Sequence, residues 1–316
     1  MFNQNKASNS LRVAIMGAGG IGLIHARVFQ SLGAEIASIS CSTQNTANQA
    51  KKYLATKYGI KTSAFSDINE ALDNDINAVS ICTPPEYHHE HIIAAFNRNL
   101  PVFCEKPLFW DTSSNLQNVQ SRLQILRIHP HRQLFVNTSN TVLLQAIGNK
   151  LPLAESVNEF SFIFHTRGPN KYENIAVDLF PHGFSMLLNY FGRQEINSFV
   201  WETSQNNFNC DFNYGHYHVK FDFHENSKAK KRLSLKLNDN LFERIQEGSG
   251  NTYTVYMKDM LNGNHFYSDD PFKVYIDRFI KYCQDDKEKL EDDFKNASAN
   301  LELMAYCLDK INQQKN

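Results

Sequence analysis

The chain has 316 residues, of which 42% are apolar and 21% charged, and its formal net charge is −1. That length allows about two domains, and the composition is typical of a globular protein with a core of its own. A net charge so close to zero argues against nucleic acid or an anionic membrane surface as a partner, and no apolar run is long enough to span a membrane.

The cysteines and the first residues indicate the compartment. None of the six cysteines forms a Cys-x-x-Cys pair, and three lie in apolar, strand-like runs. This pattern is typical of reduced core residues and not of a disulfide framework or a zinc site. The start of the chain is polar and lacks the apolar segment of a signal peptide. We therefore expect residues 1–10 to be a loose tail and the protein to be cytoplasmic.

From Leu11 onwards, strand and helix patterns alternate. The predicted strands of this half are LRVAIM, AEIASIS, NAVSIC, PVFC and RQLFVN. Helical spacing is found in LIHARVFQSL, TANQAKKYLATKYG, SDINEALD, HHEHIIAAFNRN, SSNLQNVQSRLQIL and TVLLQAIGNK. Strands joined by helices of about ten residues predict right-handed crossovers and a parallel sheet.

The pattern changes near Leu151. Strand candidates now follow one another with short polar turns: VNEFSFIFHT, NSFVWET, GHYHVKFDFH, KRLSLKLN and TYTVYMK. One helix, around PHGFSMLLNYFG, interrupts them, and FKVYIDRFIKYC and NASANLELMAYCLDKINQ close the chain as helices. This succession predicts a mostly antiparallel sheet. We therefore predict an α/β protein with a parallel-sheet domain over residues 11–140 and a second domain over residues 141–316.

A glycine-rich turn joins the first strand to the first helix. Its residues are Gly17, Ala18, Gly19, Gly20, Ile21 and Gly22. G-x-G-x-x-G in this setting predicts a dinucleotide site: the first glycine allows the tight turn, the second the approach of a pyrophosphate, and the third helix packing. Amides of the first helical turn hold the diphosphate. The alternative is an ordinary tight turn.

The end of the second strand bears on the choice of dinucleotide. Residues 40–44 read SCSTQ and contain no carboxylate, whereas an acid at this point would bind the ribose 2′-hydroxyl of NAD. Its absence removes repulsion against a 2′-phosphate, to which Ser42 and Thr43 could donate hydrogen bonds. No arginine stands there, so NADP is only slightly favoured over NAD.

The stretch VFCEKPL places Glu105 and Lys106 together where an apolar strand leaves the core. One interpretation is an ion pair at the strand end, closed by Pro107. The other is that Lys106 lies at the carboxyl edge of the sheet, where open α/β folds bind ligands.

Three motifs, GAGGIG, CTPPEYH and CEKPL, occur in that order. Over most of residues 11–137 the chain resembles the glucose–fructose oxidoreductase, inositol dehydrogenase and rhizopine catabolism family (Gfo/Idh/MocA). The resemblance implies a Rossmann domain followed by an α/β domain whose open sheet often forms an oligomer interface, so a homodimer or homotetramer is expected. It also implies that Thr83, Pro84 and His88 contribute to the cofactor site.

For VFCEKPL the resemblance implies that Lys106 is the catalytic lysine, that Glu105 orients it and that both border the cofactor. A cation beside the nicotinamide can hold a substrate hydroxyl or carbonyl and stabilise the oxyanion that develops during hydride transfer.

The family also carries Asp-x-x-x-His at the start of a helix in its second domain, which Asp178 and His182 match. Spacing of four puts both side chains on one helical face, and Pro181 is tolerable only in a first turn. The resemblance implies that His182 carries the proton and that Asp178 orients it or binds substrate. The alternative is that Asp178 caps the helix and His182 is a satisfied buried imidazole.

Two departures from the family pattern are expected to alter the wall of the substrate pocket, and they argue against a common sugar substrate. Phe180 replaces the glycine usual between the aspartate and the histidine, and residues 137–140 read NTSN in place of a polar-Arg pattern. Arg167, which ends a strand shortly before Asp178, could clamp an anionic substrate or be an ordinary surface charge. No metal site is predicted, because His216 and His218 lack an evident third ligand.

The leading hypothesis is an NAD(P)-dependent oxidoreductase acting on a secondary alcohol, carbonyl or imine of a small polar, sugar-like molecule. The alternative is a dinucleotide-binding sensor that kept the fold and lost turnover. The joint presence of Lys106, Asp178 and His182 favours the enzyme.

Overall fold

The computed structural model describes residues 10–248, 253–284 and 293–315. The expected loose tail, residues 1–10, lies outside these ranges except for its last residue. The described residues form two compact units. Unit 1 comprises those of Met1–Glu105, Leu126–Asn137 and Tyr275–Phe294, and unit 2 those of Lys106–Ile125, Thr138–Val274 and Lys295–Asn316. The predicted division into residues 11–140 and 141–316 stays a prediction, since each unit draws on three segments of the chain.

Unit 1 is built on a parallel sheet. Its strands are β1 (Arg12–Met16), β2 (Glu35–Ser40), β3 (Ser63–Phe65), β4 (Ala78–Ile81), β5 (Val102–Cys104) and β6 (Leu134–Val136). They are ordered β3-β2-β1-β4-β5-β6, and every pair is parallel. This is the strand order of the Rossmann fold, so the predicted parallel-sheet architecture is confirmed. The three-residue β3 was not predicted, because it is too short to show a period.

The helices of the first part of the chain follow the predicted crossovers. They are α1 (Gly20–Ser31), α2 (Gln44–Tyr58), α3 (Ile68–Leu72) and α4 (Pro85–Phe96). Two further helices, α5 (Leu116–Ile128) and α8 (Pro271–Gln284), contain points where the chain passes from one unit to the other. In unit 2 the remaining helices are α6 (Val142–Ile147), α7 (Asn174–Phe191) and α9 (Phe294–Lys315), of which α9 has its first residue in unit 1.

Four phenylalanines form the centre of the core of unit 1. Phe279 of α8 packs its ring at 6.1 Å from that of Phe29 and at 5.5 Å from those of Phe103 and Phe135, measured between centroids. All four side chains are fully buried. The C-terminal part of the chain therefore completes the core around β5 and β6.

Unit 2 contains a mostly antiparallel sheet, as predicted. Its strands are β7 (Glu159–Thr166), β8 (Ile196–Thr203), β9 (Asn207–Tyr214), β10 (Tyr217–Glu225), β11 (Arg232–Leu237), β12 (Asn240–Glu247), β13 (Thr254–Asp259) and β14 (His265–Ser268). Their order is β14-β13-β12-β11-β7-β10-β9-β8. Among the described strands of this sheet, only β7 and β10 pair in parallel. The strands β9, β12 and β14 were missed, because β9 and β12 are rich in residues that β-strands disfavour, such as asparagine and glutamate.

Helix α7 begins earlier than predicted. The expectation that Asp178 stands at the start of this helix and Pro181 in its first turn is wrong, because α7 starts at Asn174 and holds Pro181 in its interior. Its N-cap residue, Glu173, makes no capping hydrogen bond through its side chain, so the usual sequence signal for a helix start is missing. Asp178 is therefore not a helix cap.

The two faces of the eight-stranded sheet differ in polarity. The face that packs α7 carries buried rings such as Phe162 and Phe221, whereas the alternate positions of β7 and β10 carry Ser161, Lys220 and Asp222. Ile163 also lies at one of these alternate positions, so the second face is mixed, with more polar residues than the first. That this sheet forms the interface of a homodimer or homotetramer stays a prediction. No helix among the described residues is long and apolar enough to cross a membrane.

The phenylalanine cluster of unit 1 allows a first prediction. Phe279→Ala is expected to lower the free energy of unfolding by about 3–5 kcal/mol, because it leaves a cavity in a fully buried aromatic core. Ile128→Ala removes a side chain that is 69% exposed and is expected to change stability by less than about 0.5 kcal/mol. Chemical denaturation of both variants checks this; equal effects would mean that α8 does not complete the core.

Candidate active site

The first glycine of the turn holds two strand ends together. Gly17 has a φ of +83°, and its N–H donates to Ser40 O at the end of β2, at 3.0 Å. A Cβ at this position would lie 2.7 Å from backbone atoms of Cys82 and Thr83, just beyond β4. A side chain is therefore excluded both by the left-handed backbone and by the close approach of a second loop.

The other glycines divide into a packed one and two open ones. A Cβ on Gly22 would overlap Gly17 O, so this glycine serves helix packing. No atom lies within 4 Å of a Cβ built on Gly19 or Gly20, so the space outside them is open. Gly19 is the N-cap of α1, whose first turn contains Ile21 and no acidic residue. Open space before the amides of a helix N-terminus fits the diphosphate of a dinucleotide.

The end of β2 presents hydroxyl groups. Ser42 and Thr43 are exposed, and the hydroxyl of Thr43 accepts a hydrogen bond from Thr46 N at 3.2 Å, forming a capping box at the start of α2. The structure thus gives Thr43 a helix-capping contact that the sequence analysis did not consider. The part of Ser42 and Thr43 in cofactor binding stays a prediction.

Histidines of α4 fasten the loop after β4. His88 is fully buried and its Nε2 donates to Thr83 O at 2.7 Å, while His91 Nδ1 lies 3.0 Å from the Thr83 hydroxyl. Burial, with a smaller effect of His88, lowers the pKa of His91 to about 4. His91 is therefore neutral at pH 7 and acts in hydrogen bonding. Thr83 and Pro84 thus lie in a loop that His88 and His91 of α4 hold through Thr83. The part of Thr83, Pro84 and His88 in cofactor binding stays a prediction.

Glu105 belongs to a buried network in unit 1. Its Oε1 accepts hydrogen bonds from His25 Nε2 at 2.7 Å and from Asn137 Nδ2 at 2.6 Å. On the other side of the ring, His25 Nδ1 lies 2.9 Å from Ser80 Oγ and 3.2 Å from Cys82 Sγ. Burial opposes protonation of His25, but Cys82 and Glu105 outweigh it and raise its pKa to about 10. Strand β5 is thus followed by a buried carboxylate beside a histidine cation.

Lys106 belongs to a second network, in unit 2. Its Nζ forms an ion pair with the Asp178 carboxylate and donates to Asp178 O at 3.1 Å. The side chain of Lys106 is only 16% exposed and that of Asp178 33%, so the pair is partly shielded from water. The peptide bond between Lys106 and Pro107 is cis. The structure therefore brings together two of the three side chains to which a catalytic role was assigned.

The third, His182, lies one turn further along α7. Asn140 Nδ2 donates to His182 Nδ1 at 3.1 Å, and the ring of Phe164 meets the imidazole edge-on with centroids 5.0 Å apart. Because Nδ1 accepts this hydrogen bond, the neutral ring carries its proton on Nε2. Asn140 comes from the stretch NTSN that departs from the family pattern, so this departure supplies a partner for the histidine.

A glutamate that the sequence analysis missed completes the cluster. Glu225 ends β10, is fully buried, and forms a hydrogen bond with Asp178. Burial opposes ionisation of Asp178, but Lys106, Glu225 and His182 together hold its pKa well below its usual range. Burial and the contact with Asp178 raise the pKa of Glu225 to about 7. The two neighbouring carboxyl groups are thus driven towards opposite charge states.

The structure also places two other residues that the sequence analysis named. Arg167 is exposed, and its Nε donates to Ala229 O at 3.2 Å, so the contact that the structure shows is with backbone. Phe180 is fully buried and packs its ring against those of Phe184 and Phe208. The expectation that Phe180 alters a pocket wall is therefore wrong, because its side chain belongs to the core of unit 2.

Residues 11–137 match the model of an oxidoreductase family with an NAD-binding Rossmann fold, GFO_IDH_MocA. This stretch is therefore similar to that family. It contains all three motifs on which the resemblance was based, so the predicted resemblance is confirmed.

Among curated relatives, inositol 2-dehydrogenase of Pseudarthrobacter chlorophenolicus is 35% identical over 123 residues. The match covers 38% of this chain and 35% of the relative. The chain thus matches about a third of the length of that relative.

Solved structures extend the likeness in fold beyond this stretch. UDP-N-acetylglucosamine 3-dehydrogenase from Acidithiobacillus ferrooxidans matches with a TM-score of 0.68 and 14% identity, over 95% of this chain and 96% of that one. GenD2 from gentamicin A biosynthesis, in complex with NAD, matches with a TM-score of 0.67 and 16% identity, over 93% and 92%. At such identities the likeness concerns the fold alone.

The contact between Gly168 and Glu225 yields the second prediction. A Cβ on Gly168 would overlap the Glu225 carboxyl group, so Gly168→Ala is expected to lower the free energy of unfolding by about 1–3 kcal/mol. Most of this loss should disappear in a Glu225→Ala background, where the carboxyl group is absent.

Denaturation of the four proteins of this double-mutant cycle is the measurement. Gly20→Ala, where a Cβ meets no atom within 4 Å, is the control and should show no comparable loss. An equal loss from Gly168→Ala with and without Glu225 would contradict the inferred packing.

Proposed function

We propose that the protein is an NAD(P)-dependent oxidoreductase that transfers a hydride between a nicotinamide cofactor and a secondary alcohol, carbonyl or imine of a small polar, sugar-like substrate. The observation that carries this proposal is the cluster of Lys106, Asp178 and His182 in unit 2. The family match of residues 11–137 supports the dinucleotide half of it.

The glycine turn is proposed to hold the diphosphate of the dinucleotide. The open space outside Gly19 and Gly20 and the first-turn amides of α1 suit two phosphate groups. When bound, the nicotinamide supplies or accepts the hydride. The hydroxyl groups of Ser42 and Thr43, with no carboxylate near them in sequence, suit a ribose 2′-phosphate at least as well as a 2′-hydroxyl.

Lys106 is proposed to bind the substrate oxygen. An ammonium group carries three N–H donors, and the partial burial of this one strengthens its interaction with negative charge. A carbonyl oxygen that gains negative charge during reduction is stabilised by such a donor more in the transition state than in the ground state. Asp178 fixes the direction of the ammonium through its carboxylate and its backbone carbonyl.

His182 is proposed to exchange the proton of the substrate oxygen. Nε2 is the atom proposed to exchange the proton: the imidazolium gives its Nε2 proton to the substrate oxygen during reduction and becomes neutral, and the neutral ring takes a proton on Nε2 during oxidation. The other ring proton then stays on Nδ1, so this exchange requires the amide of Asn140, whose Nδ2 lies 3.1 Å from Nδ1, to turn its oxygen towards Nδ1 as the acceptor.

The substrate class follows from the same groups. A cation and an imidazole that both bind one oxygen suit a hydroxyl or a carbonyl group, and a relative that matches 38% of this chain is named for a cyclic polyol. We therefore propose a polyhydroxylated secondary alcohol or its ketone. Scanning sugars and cyclitols for a change in nicotinamide absorbance tests the class.

The role of Lys106 generates the third prediction. Lys106→Met is expected to lower kcat by about 100-fold or more, by analogy with the loss of one oxyanion donor, and to leave cofactor affinity nearly unchanged. Lys220→Met, which removes an exposed ammonium from β10, is the control and should keep full activity. A near-normal rate together with a lowered melting temperature in Lys106→Met would mean that Lys106 has a structural and not a catalytic role.

The fourth prediction concerns the dinucleotide. NADP(H) is expected to bind at least as tightly as NAD(H), and Ser42→Asp should weaken NADP(H) about tenfold or more relative to NAD(H), because it brings a carboxylate towards the 2′-phosphate. Fluorescence titration of both proteins with both cofactors checks this. A preference of the unmodified protein for NAD(H) of tenfold, about 1.4 kcal/mol, would contradict it.

A further inference from the structure

Glu225 has a carboxyl group whose surroundings do not suit an anion. Its side chain is fully buried. Asn170 donates to this carboxyl group: its N lies 2.9 Å from Oε2, and its side chain also forms a hydrogen bond with Glu225 that lowers the pKa. Among the described residues no hydrogen bond reaches the buried Oε1. A buried acceptor without a donor lowers stability by about 1–3 kcal/mol, and more when the group is charged. An ionised Glu225 would be in this unfavourable state.

The neighbouring carboxylate makes an anion still less favourable. Asp178 lies in hydrogen-bonding contact with Glu225 and already holds the nearby cation, Lys106. Two carboxyl groups in contact with one another share a proton, because the second negative charge is repelled by the first. A proton on Oε1 of Glu225 would give that atom a role as donor and give Asp178 a second hydrogen bond.

We propose that Glu225 is held as the neutral acid, and that the hydrogen bond it donates fixes the Asp178 carboxylate against Lys106. Glu225 is thus a positioning residue for the substrate-binding ammonium group. This role in turnover rests on the proposed function, whereas the charge state of Glu225 does not.

The two cations in the loop before α7 donate their hydrogen bonds to other groups, so they do not take the place of the proton on Glu225. The loop between β7 and α7 carries two cations, and both donate elsewhere: Arg167 to Ala229 O, and Lys171 Nζ to Asn206 Oδ1 at 2.6 Å. The charged and titratable groups on the neighbouring elements include Lys106, His165, Arg167, Lys171, Asp178, His182, Asp222 and His224. Of these, only Asp178 has a marked effect on Glu225, and it raises the pKa of the glutamate.

A pH dependence follows from the neutral acid. As the pH rises through about 7, Glu225 ionises and adds a negative charge beside Asp178. That charge opposes the stabilisation of a developing oxyanion by Lys106, because it neutralises part of the field of the ammonium group. The rate should therefore fall as the pH rises above about 7. Glu225→Gln should not show this fall, because a glutamine side chain does not ionise.

Infrared spectroscopy tests the charge state directly on the full-length protein. At pH 6 the unmodified protein is expected to show the carbonyl stretch of a protonated carboxylic acid, absent from Glu225→Gln and lost as the pH is raised to 9. Asp222→Asn, which changes a half-exposed carboxylate on the same strand, should keep the band. Identical spectra for the unmodified protein and Glu225→Gln at pH 6 would overturn the proposal.

The pH dependence of unfolding is a second test that does not need a substrate. Because the pKa of Glu225 is raised in the folded state, its contribution to stability is fully present below its unfolded value of 4.5 and is lost as the pH rises through about 7. The stability difference between the unmodified protein and Glu225→Gln should therefore shrink over this range and level off above it. A difference that grows with pH would mean that Glu225 is an anion.

Kinetics separate positioning from mere packing. Glu225→Met, which fills the space without a donor, is expected to lower kcat about tenfold or more at pH 6. Glu225→Gln, which retains an N–H donor towards Asp178, should lose less and should lack the alkaline fall in rate. Equal rates and equal pH profiles for the two variants would overturn the positioning role. If the unmodified protein transfers no hydride to any sugar, cyclitol or ketone, the proposed function fails, and the infrared band still decides the charge of Glu225.

Discussion

One ammonium group allows a carboxylate to stay ionised in the partly buried centre of unit 2. Without Lys106, Asp178 would face the carboxyl group of Glu225 with little compensation for the water that both have lost. With it, the cluster contains a cation, an anion and a neutral acid, so its charges balance. The direction of the lysine, and with it any binding of a substrate oxygen, depends on this balance.

The two charged residues that follow β5 form separate ion pairs. Glu105 and Lys106 are neighbours in the chain, yet each has a partner far away in sequence: Glu105 contacts His25, 80 residues earlier, and Lys106 contacts Asp178, 72 residues later. Of these two consecutive residues, Glu105 thus belongs to a buried network and Lys106 to a more exposed one. The sequence of this segment alone is compatible with an ion pair between Glu105 and Lys106 and with a ligand site.

The features that the sequence predicted are those set by local constraints. The glycine turn is recognisable because Gly17 needs a left-handed backbone and Gly22 lies against it, both within one short stretch. The alternation of strands and helices likewise gave the parallel sheet. The start of α7 was missed because Glu173 provides no capping side chain and Pro181 seemed to mark a first turn.

The residues that the sequence missed act over long separations. Asn140 reaches His182 from 42 residues away, and nothing in either local stretch indicates the other. Glu225 did leave a signal, because it follows Tyr217, Phe221 and Phe223 on the buried positions of β10. A glutamate in register with aromatic core residues is rarely left without a partner, and a search for such acids would have found it.

The aromatic core of unit 1 has a consequence for how the chain folds in the cell. Synthesis proceeds from the N-terminus, so Phe29, Phe103 and Phe135 leave the ribosome long before Phe279. Until then the nascent Rossmann sheet has an incomplete apolar surface, which suits transient binding by a chaperone. A gene fragment that ends at Asn137 would leave the same surface uncovered, although it contains every strand of that sheet. The stretch that matches the family model, residues 11–137, thus lacks the part of α8 that completes the core of unit 1.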